Sequence, residues 1–237
     1  DTLLLPCSQV SKLRLAWSMW LHPRVRFAED PLARGTYVFV KGVTSRQLQL
    51  FTSLSTPADV VSQALAQRVS GHGAPIHVRR DSTWDVPEPE LAIFMTSSSK
   101  IVGYTMGNDV SSRSIEGENP LYLPQAKVYS GSAALGPCLL VGSLPGPEDE
   151  IVLSISREGE EVFRGSTPLS QLKRGYEELA GFLFRENDFP DGALLMTGTG
   201  IVPDHPFTLQ PNDLIRISID GIGTLENAVV MADDLQK

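Results

Sequence analysis

Cysteine is scarce in this chain: Cys7 and Cys138 are the only two among 237 residues, too few for a disulfide framework or a cysteine-ligated zinc site. Cys138 follows Gly136-Pro137 and opens the apolar run Leu139-Leu140-Val141, which places its thiol in a buried strand. The four histidines, His22, His72, His77 and His205, have no metal-ligand spacing, and each reads as a loop or surface residue rather than a base. Positive charge is also short. A net charge of −8 argues against nucleic acid or an anionic membrane surface as partner, though not against anionic substrates, because a bound cation reverses the local field of a site. No apolar run approaches the roughly twenty residues that cross a bilayer. The opening Asp1-Thr2-Leu3-Leu4-Leu5-Pro6 has no basic stretch or cleavage site of a signal peptide, so a cytoplasmic location is expected. No Walker loop occurs, and no glycine-rich turn opens a helix after a strand, which excludes the usual nucleotide sites. Gly131-Ser132 lacks the flanks of a nucleophile elbow and has no assignable His and Asp partners.

What is present changes character near residue 70. Upstream, Leu3 to Leu5, Arg14 to Trp20 and Tyr37 to Val40 fit strands or short helices, and Pro57 to Val69, with Val60, Val61, Leu65 and Val69 apolar, predicts an amphipathic helix. Gly71-His72-Gly73-Ala74-Pro75 marks a boundary, giving a small divergent region 1–70 and a larger one, 71–237. From Pro75 onward, short apolar runs are cut by turns. Ile76 to Arg80, Leu139 to Gly142, Ile151 to Ser156, Glu161 to Phe163, Ala193 to Thr197, Leu214 to Ile219 and Ala228 to Met231 are strand candidates. One helix interrupts them, Pro168 to about Glu186, with Thr167 as N-cap and Leu169, Leu172, Tyr176, Leu179, Phe182 and Leu183 on one stripe. The fold class is therefore mainly β with some α, and the pattern fits a mixed β roll or an ordinary sandwich.

The densest chemistry lies between Trp84 and Lys127. Leu91 to Thr96 and Ile101 to Met106 flank Ser97-Ser98-Ser99-Lys100 and predict a hairpin. With an even loop, paired residue numbers sum to 197, so Glu88 stands opposite Asp109 and Glu90 opposite Gly107. Residues two apart share a face, so Glu88, Glu90 and Asp109 converge; an odd loop would turn Asp109 away. Pro87 and Pro89 confine this end to an edge or a strand start. Three converging carboxylates repel unless some are protonated or a cation sits between them. Two readings stay open here: a solvated acidic loop, or a hard divalent ion, Mg²⁺ or Mn²⁺ before Zn²⁺.

EPELA, GYTMGNDVSSR, GENPLYLPQAKVY, ALGP, LFRENDFPDG, LMTGTGIVP and IDGIGTLENAV follow in order between Asp81 and Val230. Together they resemble the fumarylacetoacetate hydrolase (FAH) superfamily, and within it the 2-keto-3-deoxy-pentonate (arabinonate) dehydratases. The resemblance implies a mixed β-sandwich roll, a catalytic region over 71–237, and Mg²⁺, with Mn²⁺ or Ca²⁺ as substitutes, on Glu88, Glu90 and Asp109. Upstream, the family's lid signature Gly-Val-Thr-Tyr survives only as Gly42-Val43-Thr44 followed by Ser45.

The same resemblance makes Lys127, otherwise an ordinary surface lysine, the cation that stabilises an enolate. Arg113 falls one turn after Asp109 if Val110 to Ile115 is helical, and either grips a substrate carboxylate or neutralises Glu116 or Glu118. Glu116 and Glu118 are candidates for proton transfer on a loop that Gly117 loosens. Gly198-Thr199-Gly200 is a tight bend whose small residues let N–H groups approach an anion; by resemblance, Thr199 contacts the substrate carboxylate. Tyr122 and Gln125 are candidates for bonds to substrate hydroxyls. The implied activity is that of a metal-dependent hydro-lyase (dehydratase) converting a 2-keto-3-deoxy sugar acid to a semialdehyde through a metal-bound enolate, in a homodimer or dimer of dimers. Its rivals are C–C bond hydrolysis of an acylpyruvate, oxaloacetate decarboxylation, and non-catalytic binding of metal and keto acid.

Overall fold

The computed structural model describes residues 68–141, 145–190 and 192–232, and the backbone of three strands at 3–6, 38–42 and 60–64. Among these residues the protein is mainly strand with a few short helices, the α+β class expected. Its larger sheet has eight strands. At the centre is the hairpin of β7 (Pro89–Met95) and β8 (Ile101–Asp109). Next to β8 runs β10 (Ala133–Val141), which also pairs with β1 (Leu3–Pro6) and β4 (Val69–Ser70). On the β7 side follow β13 (Ala193–Met196), β2 (Val38–Gly42) and β3 (Val60–Ala64). The second sheet is ordered β12 (Glu160–Pro168), β11 (Glu150–Arg157), β14 (Leu214–Ile219), β15 (Gly223–Met231), β5 (Ile76–Val78). A two-stranded ladder joins β6 (Asp85–Val86) to β9 (Ser111–Ser112). Helices α1 (Arg113–Glu118), α2 (Leu123–Lys127) and α3 (Tyr176–Leu183) complete the described elements. None is long and apolar enough to cross a membrane.

Period-two patterning explains the layers. On β11, Ile151, Leu153 and Ile155 turn inward, as do Ile215, Ile217 and Ile219 on β14. They meet Leu91, Ile93, Met95 and Met106 of the hairpin in the main core, where truncating one to alanine costs about 2–5 kcal/mol. β7 is buried along its whole length, as a near-continuous apolar run in a central strand should be. Its other face carries a smaller cluster with Ala92, Phe94, Leu135 and Met196. Glu88 and Glu90 continue this second face by alternation.

The hairpin tip differs from the even loop expected. Thr96 N–H donates to the Lys100 carbonyl at 2.9 Å and Met95 faces Ile101, so Ser97, Ser98 and Ser99 close the turn, with Ser99 at φ 60°. A bulge then corrects the count: Phe94 faces Gly103, leaving Val102 outside the ladder. Beyond it the register is the one an even loop would give, with Glu90 opposite Gly107 and Pro89 opposite Asn108. Asp109 N–H donates to the Glu88 carbonyl at 2.8 Å.

Two helical expectations fail for the same reason, that a ladder takes the backbone first. Val60–Ala64 pairs antiparallel with β2 instead of joining a Pro57 to Val69 helix, as the β-branched pair Val60-Val61 favours; of the other N-terminal candidates, Leu3 to Leu5 and most of Tyr37 to Val40 are strands, and Arg14 to Trp20 lies outside the described residues. Thr167 and Pro168 do not cap a helix but end β12, opposite Ile151 and Glu150. A 3₁₀ turn at Leu169–Gln171 follows, and α3 starts only after Gly175. The apolar stripe survives in part, with Leu169 and Leu183 buried and Leu172, Tyr176 and Leu179 packed against the core.

Candidate metal centre

Glu88, Glu90 and Asp109 are each 0 % exposed. One carboxylate oxygen from each lies within 4.8 Å of the other two. Local sequence explains the placement. Glu88 sits between two prolines that have no N–H, and its own N–H is accepted at 3.2 Å by Asn108 Oδ1, which substitutes for a ladder carbonyl. Opposite Glu90, a Cβ at Gly107 would lie 2.6 Å from Met196 Sδ, so glycine there leaves room for the Met196 side chain. Glu90 Oε2 accepts the N–H of Gly198 at 2.7 Å, a bond that Gly198 makes at φ 97°. Glu90 Oε1 is buried with no hydrogen-bond donor among the described residues.

The other half of the cluster is filled by cations. Lys127, the last residue of α2 and 2 % exposed, donates from Nζ to Glu88 Oε2 at 2.9 Å, Asp109 Oδ2 at 3.2 Å and Ser111 Oγ at 2.6 Å. Ser132 Oγ fixes its main chain by donating to the Lys127 carbonyl at 2.8 Å. Arg113 Nη2 lies 2.7 Å from Glu88 Oε1, as an ion pair rather than an aligned hydrogen bond. Its Nη1 lies 3.5 Å from Glu116 Oε2. The condition of a helix over Val110 to Ile115 is not met at its start: Ser111–Ser112 pairs with β6, and Ser112 caps α1 by accepting the Ile115 N–H. Arg113 is held instead by its N–H bond to the Trp84 carbonyl at 2.7 Å.

Burial, reinforced by Asp109 and Glu88, holds the Glu90 carboxyl well above the usual range, against the pull of Gly198 and Lys127. Burial also raises Glu116. For Lys127 burial works the other way, but Asp109, Glu88 and Glu116 outweigh it and hold the ammonium protonated. If all four carboxylates of this cluster ionise, the two cations leave a formal charge of −2. That deficit, the donor-free Glu90 Oε1 and an all-oxygen ligand set fit a hard divalent cation, whose bonds of about 2.0–2.6 Å can draw these oxygens together.

The structure brings together Glu88, Glu90, Asp109, Lys127, Arg113, Glu116 and Gly198, and leaves others outside. Glu116 and Glu118 lie on α1 rather than a loop; Glu118 is exposed at its end. Tyr122 is 45 % exposed, and exposed Gln125 accepts from Arg79 through both Oε1 and its carbonyl. Thr199 Oγ1 donates to the Ile201 carbonyl at 2.9 Å. His77 is not the surface residue expected but a buried member of β5, while Cys138 is half-buried on β10, its thiol donating to the Ile222 carbonyl. Asn108 and Ser111 went unread in the sequence. Ser111 carries the signal of lying two residues after Asp109, on the same side of an extended chain.

Residues 42–230 match the family model described as fumarylacetoacetate (FAA) hydrolase C-terminal. The chain belongs to the fumarylacetoacetate hydrolase family. A probable 2-keto-3-deoxyxylonate dehydratase of Haloferax volcanii is 48% identical over 178 residues, 72% of this FAH-family chain and 60% of the relative. A 2-dehydro-3-deoxy-D-arabinonate dehydratase of Saccharolobus solfataricus is 45% identical over 206 residues, 85% of this chain and 66% of the relative. The chain thus spans somewhat less than two thirds of these curated relatives. Among solved structures, a 2-keto-3-deoxy-D-arabinonate dehydratase complexed with magnesium and 2,5-dioxopentanoate superposes with a TM-score of 0.79 at 34% identity, covering 97% of this chain and 92% of that one.

Proposed function

We propose that this FAH-family protein is a Mg²⁺-dependent hydro-lyase that dehydrates a 2-keto-3-deoxy sugar acid, a pentonate, to a 2-keto acid semialdehyde. The observation that carries the reading is the buried Glu88–Glu90–Asp109 triad in a chain 45–48% identical to two sugar-acid dehydratases. Glu88, Glu90 and Asp109 would hold the Mg²⁺, for which Mn²⁺ or Ca²⁺ could substitute. When bound, the ion supplies Lewis-acid polarisation of the substrate's ketone, which acidifies the neighbouring C–H.

The protein's own groups do the rest. The Lys127 ammonium, fixed at three points, presents unchanging positive charge beside oxygen that becomes negative as the C3 proton leaves. The Arg113 guanidinium, 2.7 Å from Glu88 Oε1, orients the substrate carboxylate, a role that Thr199 and the bend at Gly198, bonded to Glu90, would share. Glu116, whose carboxyl is raised by burial and so made more basic, takes the C3 proton and hands it to the C4 hydroxyl, which departs as water; exposed Glu118 is the less suitable carrier. Tyr122 and Gln125 reach the substrate only from the rim. The catalytic unit is 71–237, which contains every one of these side chains, while strands from 1–70 extend its sheet. A cytoplasmic homodimer or dimer of dimers is the expected form.

Incubation with Mg²⁺ and 2-keto-3-deoxy-D-arabinonate should give 2,5-dioxopentanoate, detected as the aldehyde. Turnover of acylpyruvate to pyruvate, or loss of CO₂ from oxaloacetate, without any semialdehyde, would replace the reading with hydrolysis or decarboxylation. Binding of oxalate with Mg²⁺ and no turnover of any of these acids would make the protein a binder.

A further inference from the structure

An ammonium group has three N–H bonds, and in this site Glu88, Asp109 and Ser111 each accept one from Lys127. The shortest of the three, 2.6 Å, goes to Ser111. Ser111 is 0 % exposed, and its own hydroxyl proton is committed to the Asp109 carbonyl at 3.1 Å. That commitment leaves a lone pair turned toward Nζ. Glu90 belongs to the same cluster and feels the charge of Lys127, yet its one hydrogen bond comes from Gly198 and its Oε1 has no donor.

Without the serine hydroxyl the third N–H would be stranded in a site that excludes water, an arrangement buried donors avoid by finding another acceptor. Among the described residues, Glu90 is the member of the triad that has a donor-free oxygen and no cation already in contact with it. We propose that Ser111 is a positioning residue that occupies the third N–H of Lys127 and thereby reserves Glu90 for the metal ion. This rests on the metal-centre part of the reading above but not on which bond the enzyme breaks.

The test is calorimetric titration of the whole chain with MgCl₂ in a double-mutant cycle. Ser111→Ala should weaken Mg²⁺ binding about ten-fold, as loss of an outer partner of a metal site does. In a Lys127→Met background, with no ammonium to misdirect, the same change should alter binding by less than about two-fold. Equal weakening in both backgrounds would assign Ser111 a merely structural role, and unchanged affinity in the single variant would remove any role; either overturns the proposal. Ser111→Cys, which keeps the volume and offers only a weak acceptor, carries the same expectation if the alanine variant does not fold. A wild-type chain that binds Mg²⁺ but dehydrates nothing would sink the dehydratase reading and leave this proposal standing. One that binds no divalent cation would sink both.

Discussion

The two halves of the acidic cluster are wired differently, although both are made of carboxylates at zero exposure. Glu88 and Asp109 are met by Lys127, and Glu88 also by Arg113. Among the described residues, Glu90 receives a single backbone N–H and no cation. Burial alone therefore does not decide a carboxylate's chemistry. With cations in contact the charge is already compensated; without them the group must take up a proton or a metal.

Substitutions on the two sides should separate the halves. Glu90→Gln and Glu88→Gln should both lower kcat/KM for metal-dependent dehydration by about three orders of magnitude, the several kcal/mol that a bound ion supplies. In the metal-free protein they should part. Glu90→Gln resembles the protonated acid and should leave urea stability within about 1 kcal/mol, whereas Glu88→Gln strands two cations and should cost about 3 kcal/mol. Equal losses in both would erase the distinction. Next in size, Lys127→Met should destabilise the metal-free protein by about 3 kcal/mol near neutral pH by leaving Glu88 and Asp109 uncompensated. Mg²⁺ should restore part of that loss in the same unfolding assay.

Asp85 provides an external control, because burial, with a smaller push from Asp81, raises its carboxyl to about 6, and its Oδ1 has no partner among the described residues. A raised acid binds its proton more tightly when folded, so its stabilisation is present at low pH and is lost as pH rises from about 4 through 6. Asp85→Asn should therefore gain about 1–2 kcal/mol at pH 8 and nothing at pH 4, measured by thermal unfolding at the two pH values. A gain that does not change with pH would refute the assignment. The smallest effect belongs to Gln125→Ala, which should change kcat/KM by less than about two-fold. A ten-fold loss would bring the rim into contact with substrate.

The convergence of Glu88, Glu90 and Asp109 was legible from alternation and two prolines, yet the route to it was partly wrong. The hairpin loop is odd, and the bulge at Val102, which has no composition signal, restores the expected register. The Pro168 helix misled because a stripe at helical spacing and a well-formed cap compete with a ladder that only the tertiary fold supplies. Lys127 looks like a surface residue in one dimension, and nothing in Pro124-Gln125-Ala126-Lys127 announces that α2 turns it inward. Ser111 was hidden by its ordinariness, since a serine acquires a role only from what its hydroxyl faces.

The unpaired Val102 also bears on how such a chain can vary. A site whose geometry depended on counting from the hairpin tip would be lost with any single insertion there. Here the strand resets its count several residues before the acidic end, so the tip can lengthen or shorten by one while the carboxylates keep facing one another, provided the irregularity moves to match.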